Sequence, residues 1–220
     1  MSDKLLSCIE ENGIIAIFRK VPQASVVRLA DALYRGGIRL FEVTFDQSDP
    51  DCLAHTAAAI RALCAAYPDL YFGAGTVLTK EQVAAAKEAG GRFIISPNTD
   101  VEVIRYTKEL GLVSIPGAMT PSEVMTAHNA GADFVKLFPA GWLGPDYLKN
   151  ITSPISHVKL LATGGVGLDN FGDFVAAGCA GAGIGSSLCD KTRIKTGDWD
   201  GLTEEARRYV AAFRKAKGLG

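Results

Sequence analysis

Short apolar runs alternate with longer amphipathic segments along the chain. Each run is bounded by Gly, Pro or polar residues, which is typical of β-strands. Between the runs lie segments with helical spacing, such as the first, where Val26, Leu29 and Leu33 share one face. The predicted strands are IIAIF (14–18), IRLFEVT (38–44), LYFGAGT (70–76), RFIIS (92–96), LVSIP (112–116), DFVKLFP (133–139), VKLLAT (158–163) and AGAGIGS (180–186).

The chain has eight predicted strands, each followed by a helical segment, and one short helix before the first strand. This pattern defines the fold class. Alternating strands and helices favour a parallel sheet with right-handed crossovers. Eight such units predict an α/β protein, a (β/α)8 TIM barrel that occupies residues 1–220 as one domain. The alternative is an open doubly wound sheet, which usually carries a glycine-rich fingerprint after its first strand. The sequence RKVPQAS stands there instead.

Composition narrows the possible partners and surroundings. The 220-residue chain has a formal net charge of −1, which gives no reason to expect binding to nucleic acid. No apolar run is long enough for a transmembrane helix, and the N-terminus does not resemble a signal peptide. Five scattered cysteines and three separated histidines favour a reducing compartment and argue against a metal site. We therefore expect a cytoplasmic protein with no membrane or nucleic-acid partner and no metal.

Lys136 interrupts the apolar run DFVKLFP and shares strand parity with Phe134 and Phe138. Either face of a barrel strand is buried, and burial lowers the pKa of a lysine. A neutral amine can attack a carbonyl and form a Schiff base. Glu42, near the C-terminal end of the second strand, could move protons in such a reaction. In the structural alternative, Lys136 pairs with a carboxylate, which could be Glu42, or reaches solvent at the strand end.

Other polar groups are predicted at the same rim. Arg19 ends the first strand, where a guanidinium can grip a carboxylate or simply be solvated. Thr76 follows small residues that allow either close approach of a ligand or tight packing. Glycine-rich turns at 163–170 and 183–188 follow the last two strands, where barrel enzymes frequently bind phosphate.

The segments EVTF, GAGTVLT, ISPNTD, IPGAMTPSE, VKLFPA, TGGVGLDN and GIGSSL carry a family resemblance. In order and spacing the chain resembles the 2-keto-3-deoxy-6-phosphogluconate (KDPG) aldolases, a family that includes 4-hydroxy-2-oxoglutarate and 6-phosphogalactonate aldolases. The resemblance implies a class I aldolase without metal or other cofactor, usually homotrimeric, that acts on a phosphorylated keto acid in Entner–Doudoroff metabolism. The alternatives are an epimerase or synthase without a covalent lysine, and a non-catalytic phosphosugar-binding barrel.

The same resemblance implies roles for individual residues. Lys136 matches the Schiff-base lysine and Glu42 the general acid/base of the family. The matched substrate-binding positions are Thr76 and Pro97 around pyruvate, Phe138 beside the lysine, and Gly164, Gly165, Gly185 and Ser186 in the phosphate cradle.

Two positions bear on the substrate. Many members carry an arginine four residues after the glutamate, where this chain has Asp46, so we predict that Arg19 holds the pyruvate carboxylate instead. Thr163 stands where galactonate-type members tend to have valine, and its hydroxyl favours phosphogluconate as the substrate. Phosphogalactonate is the alternative, because AGCAGAGIGS resembles the galactonate branch.

Overall fold

The computed structural model describes residues 2–219 and contains nine short parallel strands. Their neighbour order is β5-β4-β3-β2-β1-β9-β8-β7-β6, so consecutive strands lie side by side around a ring. The strands are β1 (Ile14–Phe18), β2 (Leu40–Thr44), β3 (Tyr71–Gly75), β4 (Phe93–Ile95), β5 (Val113–Ile115), β6 (Gly117–Ala118), β7 (Val135–Leu137), β8 (Leu160–Thr163) and β9 (Gly181–Ile184).

Helices follow the strands, as the amphipathic spacing predicts. They are α1 (Ser2–Asn12), α2 (Val26–Arg35), α3 (Cys52–Ala66), α4 (Lys80–Glu88), α5 (Val101–Glu109), α6 (Pro121–Asn129), α7 (Ala140–Thr152), α8 (Phe171–Ala176), α9 (Lys191–Thr196) and α10 (Trp199–Ala216). Thr120 and Glu123 form the predicted capping box at α6. At α4 only half of a capping box is present. The Thr79 side chain accepts from Gln82 N, but Gln82 Oε1 accepts from Leu78 N rather than from Thr79 N. No helix in the described part of the chain combines the length and the apolar character needed to cross a membrane.

The predicted fifth strand (112–116) is observed as β5, and beyond Pro116 the chain adds a second short strand, β6, which was not predicted. Proline has no N–H to donate, so it interrupts the hydrogen-bond ladder. The N–H of Lys136 donates to the Pro116 carbonyl (2.8 Å) and that of Phe134 to the Ser114 carbonyl (3.3 Å). These bonds join the β7 segment to β5 and to Pro116 and close the ring. The predicted TIM barrel is thus confirmed, with β6 as an additional short strand.

Side chains of alternate strand residues fill two separate apolar clusters. The interior cluster contains Ile15, Leu40, Phe93 and Phe134, together with Leu5 and Ile9 of α1. Because α1 leads directly into β1, it covers the end of the barrel at which the strands begin. The larger cluster lies between the strands and the outer helices. The opposite end, where the strands finish, is therefore the one available for a site.

Candidate active site

Lys136 lies at the centre of β7 with its side chain on the interior face. Its neighbours Val135 and Leu137 belong to the outer cluster, whereas Phe134 belongs to the interior one, in agreement with the predicted alternation. Lys136 is only 4% exposed. Its Nζ atom lies 4.9 Å from the centre of the Phe138 ring, within the range of a cation–π contact. The fold thus holds this ammonium group away from bulk water.

Burial lowers the pKa of Lys136, because desolvation penalises its charged form. The charge of Arg19 lowers this pKa further, and the carboxylate of Glu42 opposes both effects. A lowered pKa makes the neutral amine, the form that attacks a carbonyl, more accessible than in an exposed lysine.

Glu42 lies on β2 and is 1% exposed. Its Oε2 atom accepts no hydrogen bond within residues 2–219, an unusual state for a buried carboxyl oxygen. Burial raises the pKa of Glu42, and the positive charges of Lys136 and Arg19 partly offset this effect. Raising the pKa of the carboxyl group and lowering that of the amine brings the two values closer together, which favours proton exchange between such groups.

Lys136 and Glu42 interact electrostatically without forming a salt bridge in the described structure. The structural alternative, a lysine held in a direct ion pair with Glu42, therefore does not describe this geometry. Both side chains keep hydrogen-bonding capacity for a third group placed between them.

Arg19 follows β1 and is exposed at the rim. The residue that replaces the family's usual arginine, Asp46, instead forms a salt bridge with Lys20 at 2.9 Å. Hydrogen bonds from Ser48 and Lys20 lower the pKa of Asp46 to about 2, so it stays ionised. Because Lys20 neutralises Asp46, the Arg19 guanidinium is left available for another anion.

A cavity of about 430 Å³ adjoins Arg19 and is also lined by Lys191 and Lys195. The last two belong to the short helix α9. Lys20 also lines this cavity, so four cationic side chains surround it and give it a positive potential that favours anions.

Thr76 and Pro97 lie partly buried at the ends of β3 and β4. The backbone of Thr76 has φ +54°, a conformation that is costly for a β-branched residue and frequent at functional sites. The side-chain amide of Gln47 donates to the Thr76 carbonyl at 2.8 Å and helps to hold this conformation. Pro97 packs its carbonyl against Gly117, the register partner of Lys136. Pro97 therefore lies next to the residue that pairs with Lys136.

The two glycine-rich turns lie next to each other, because Thr163 of β8 and Gly183 of β9 are register partners. Gly164 and Gly165 have φ +83° and +74°, which only glycine adopts freely. Within residues 2–219, no hydrogen bond uses the N–H groups of Gly164, Gly165, Gly185 or Ser186 as donors to a loop carbonyl. Free N–H groups on adjacent turns are what an anion cradle requires.

Phe138 connects the lysine to the first of these turns. Its ring contacts Lys136 on one side, and a Cβ at Gly164 would lie 2.9 Å from the ring on the other. Thr163, the last residue of β8, is buried next to this turn. A substrate on Lys136 would therefore pass Phe138 and Thr163 on its way to the glycine turns.

Asn170 was not singled out by the sequence analysis, although it lies in the TGGVGLDN segment. Its side chain accepts from Gly167 N at 2.9 Å and donates to the Gly165 carbonyl at 3.0 Å. The N–H of Gly141 also donates to the Gly164 carbonyl at 2.7 Å. Asn often bonds nearby backbone in this way, but the partners depend on the folded turn.

Comparison with known proteins agrees with this geometry. Residues 5–204 match the model of the aldolase family described as KDPG and KHG aldolase. A probable 2-dehydro-3-deoxy-6-phosphogalactonate aldolase of Rhizobium meliloti is 36% identical over 94% of each chain. A 2-dehydro-3-deoxy-phosphogluconate aldolase of Pseudomonas aeruginosa is 34% identical over 93% of this chain and 92% of its own.

Among solved structures, the KDPG aldolase of Legionella pneumophila, with pyruvate captured as a covalent carbinolamine, has a TM-score of 0.83. It is 30% identical, and the match covers 93% of this chain and 97% of that one. The fold, the buried lysine and these relatives define a barrel aldolase, a carbon–carbon lyase. The chain belongs to the KDPG and KHG aldolase family.

Within residues 2–219, no group of three His, Cys, Asp or Glu side chains is arranged to hold a metal ion.

Proposed function

We propose that the protein is a class I aldolase that cleaves 2-keto-3-deoxy-6-phosphogluconate to pyruvate and glyceraldehyde 3-phosphate through a Schiff base on Lys136. The observation that carries the proposal is the buried pair of Lys136 and Glu42. Burial lowers the pKa of Lys136 and raises that of Glu42. The covalent carbinolamine in the Legionella relative supports a lysine adduct in this family.

In the proposed mechanism the neutral amine of Lys136 attacks the C2 carbonyl and forms a carbinolamine. Glu42 supplies the proton with which hydroxide leaves as water, and the imine remains. The protonated imine accepts the electron pair of the C3–C4 bond as that bond breaks, and the C4 hydroxyl gives its proton to the Glu42 carboxylate that the previous step left. Glyceraldehyde 3-phosphate departs, and the enamine left on Lys136 is protonated at C3 and hydrolysed to pyruvate.

The remaining predicted residues bind the two ends of the substrate. Arg19 holds the pyruvate carboxylate, and Thr76 and Pro97 surround the pyruvate moiety. Gly164, Gly165, Gly185 and Ser186 bind the phosphate through their free N–H groups. Binding energy from the distant phosphate helps to align the reacting carbons with Lys136.

Borohydride reduction in the presence of pyruvate tests the covalent step. We expect one stable adduct, located on Lys136 by peptide mass mapping, and its loss in Lys136→Met. The matched control is Lys159→Met, since Lys159 is exposed next to β8 and should leave trapping unchanged. An unmodified Lys136 in an active preparation would overturn the proposal in favour of an epimerase, a synthase or a binding protein.

The choice of substrate rests on Thr163, whose hydroxyl can bond a substrate hydroxyl where valine cannot. The galactonate isomer is the alternative, favoured by the name of the Rhizobium relative. A pyruvate-release assay with the gluconate and galactonate phosphates and 4-hydroxy-2-oxoglutarate, run side by side, decides among them. A higher kcat/KM for the gluconate compound would place the reaction in Entner–Doudoroff metabolism.

Assembly into a homotrimer in the cytoplasm completes the proposal. Trp142 is 90% exposed and Met119 46% exposed, and large apolar side chains at a surface favour an interface. Light scattering coupled to size exclusion should give three times the monomer mass, and cell fractionation tests the location. A monomer would contradict the predicted assembly without affecting the chemistry.

A further inference from the structure

Tyr209 of α10 is the one tyrosine in the described chain that is almost fully buried, with 1% exposure. Its ring packs against Phe171 at a centroid distance of 6.1 Å. A phenylalanine would fill the same space without placing a hydroxyl in the interior. The hydroxyl therefore needs a partner there, since a buried polar group without one is costly.

The hydroxyl of Tyr209 contacts both glycine-rich turns. It shares a 2.7 Å hydrogen bond with Ser187 Oγ, in the turn after β9. A Cβ built at Gly167, in the turn after β8, would lie 4.0 Å from the same oxygen. The adjacent Leu168 N–H also faces it and, together with the Ser187 bond, counteracts the rise in the pKa of Tyr209 that burial causes. Tyr209 thus stays a neutral O–H between the two turns.

The turns need such a bridge because little else holds them together. β8 and β9 are paired only as far as Thr163 and Gly183. Beyond that point, no hydrogen bond within residues 2–219 joins residues 164–170 directly to residues 185–188. A tetrahedral anion bound by N–H groups from both turns requires a fixed distance between them.

We propose that Tyr209 is a positioning residue that sets the spacing of the two turns and thereby the affinity for the phosphate group of the substrate. The inference rests on the proposed phosphate cradle and deepens it. Tyr209 itself touches neither the phosphate nor the reacting carbons, so its effect falls on binding at one end of the site.

Tyr209→Phe removes the hydroxyl and keeps the ring, and Ser187→Ala removes the partner. From the worth of one hydrogen bond, each change should raise KM for the phosphorylated substrate and Ki for inorganic phosphate by about threefold to tenfold. The double variant should be no worse than either single variant, because both changes break the same bond. The rate of borohydride trapping with pyruvate, which has no phosphate, should stay within about twofold of wild type.

Tyr147→Phe is the matched control. The Tyr147 hydroxyl donates to the Met119 carbonyl at 2.8 Å, and this bond does not involve the two turns. It should leave KM and Ki unchanged. If phosphate inhibits the wild-type enzyme and neither Tyr209→Phe nor Ser187→Ala changes the Ki, the role of Tyr209 is overturned and the cradle stands. Equal losses in pyruvate trapping and phosphate binding would show general damage instead and would also overturn it. A wild-type enzyme indifferent to phosphate would remove the cradle itself, and the inference with it.

Discussion

The carboxyl group of Glu42 fills the space above Gly75, so that a side chain at residue 75 would overlap its Oε1 atom. The two residues lie on neighbouring strands, where Gly75 is the register partner of Thr44. Glycine is therefore required at position 75 because the Glu42 side chain occupies the space of a Cβ, and not because of the backbone conformation. It leaves room for Glu42 to turn its carboxyl group into the barrel.

Gly75→Ala should move the Glu42 carboxyl group away from its present position. If Glu42 is the general acid/base, kcat should fall by about a hundredfold, at the lower end of the usual contribution of such a group. Steady-state turnover measures the loss, and circular dichroism checks that the barrel still forms.

Gly172→Ala provides the control for this change. Gly172 lies in α8, and nothing lies within 4 Å of a Cβ built there. We expect unchanged turnover and a gain in stability of about 0.5–1 kcal/mol from better helix propensity. Wild-type turnover in Gly75→Ala would remove Glu42 from the mechanism.

Arg19→Gln should shift the pH dependence of adduct formation to higher pH. The charge of Arg19 adds to burial in lowering the pKa of Lys136, so removing it raises that pKa. The neutral amine then becomes abundant only at a higher pH. Borohydride trapping at saturating pyruvate, measured across pH, should show the rising limb displaced upward. The loss of the carboxylate contact should also raise KM for pyruvate by about tenfold or more.

Lys20→Gln tests whether any cation at this rim has the same effect. Lys20 pairs with Asp46 and does not contribute to the shifted pKa of Lys136. When Lys20→Gln is combined with Asp46→Asn, so that no unpaired carboxylate is left near Arg19, the trapping profile should match that of wild type. If both variants shift the profile equally, Arg19 has no specific role in tuning the lysine.

The alternation of side chains made the barrel and its two buried ionisable groups predictable. Parity alone placed Lys136 with Phe134, and position in the second strand placed Glu42 at the right end. The prediction ended the fifth strand at Pro116, and β6 (Gly117–Ala118) was not foreseen, because two small residues carry no apolar pattern. The α9 helix was missed because CDKTRIKTGD carries no apolar periodicity, and its N-terminus is set by the Asp190 cap.

The supporting contacts of the site depend on distant parts of the chain. The family resemblance predicts an arginine in many members at the position of Asp46, but only the fold shows that Lys20 pairs with this aspartate. Tyr209 lies 22 residues from Ser187, on the last helix, with no local pattern that connects them. The sequence therefore predicted the candidate reacting groups, because charged residues are unusual within apolar strands. It did not predict the residues that position them.

Thr76→Gly should be more stable than Thr76→Ala, and both changes should weaken activity. The αL conformation costs an L-residue roughly 1–2 kcal/mol, and glycine avoids this cost but loses about 0.5–1 kcal/mol of chain entropy. Thr76 has φ +54°, so we expect Thr76→Gly to be more stable than Thr76→Ala by about 0.5–1 kcal/mol. Both variants lose the hydroxyl, and kcat/KM should fall by about tenfold in each. Chemical denaturation and steady-state kinetics measure the two effects, and equal stability of the variants would show that the backbone is unstrained.

Thr163→Val should alter the preference between the gluconate and galactonate phosphates. The two side chains have the same shape, so the buried end of β8 should keep its packing against Gly183. The lost hydroxyl should lower kcat/KM for the gluconate substrate by about tenfold and leave that for the galactonate substrate unchanged or higher. Thr163→Ser, which keeps a hydroxyl, is the control and should retain the wild-type preference. An equal loss of kcat/KM with both substrates would mean that Thr163 does not distinguish them. The basis for favouring phosphogluconate would then be lost.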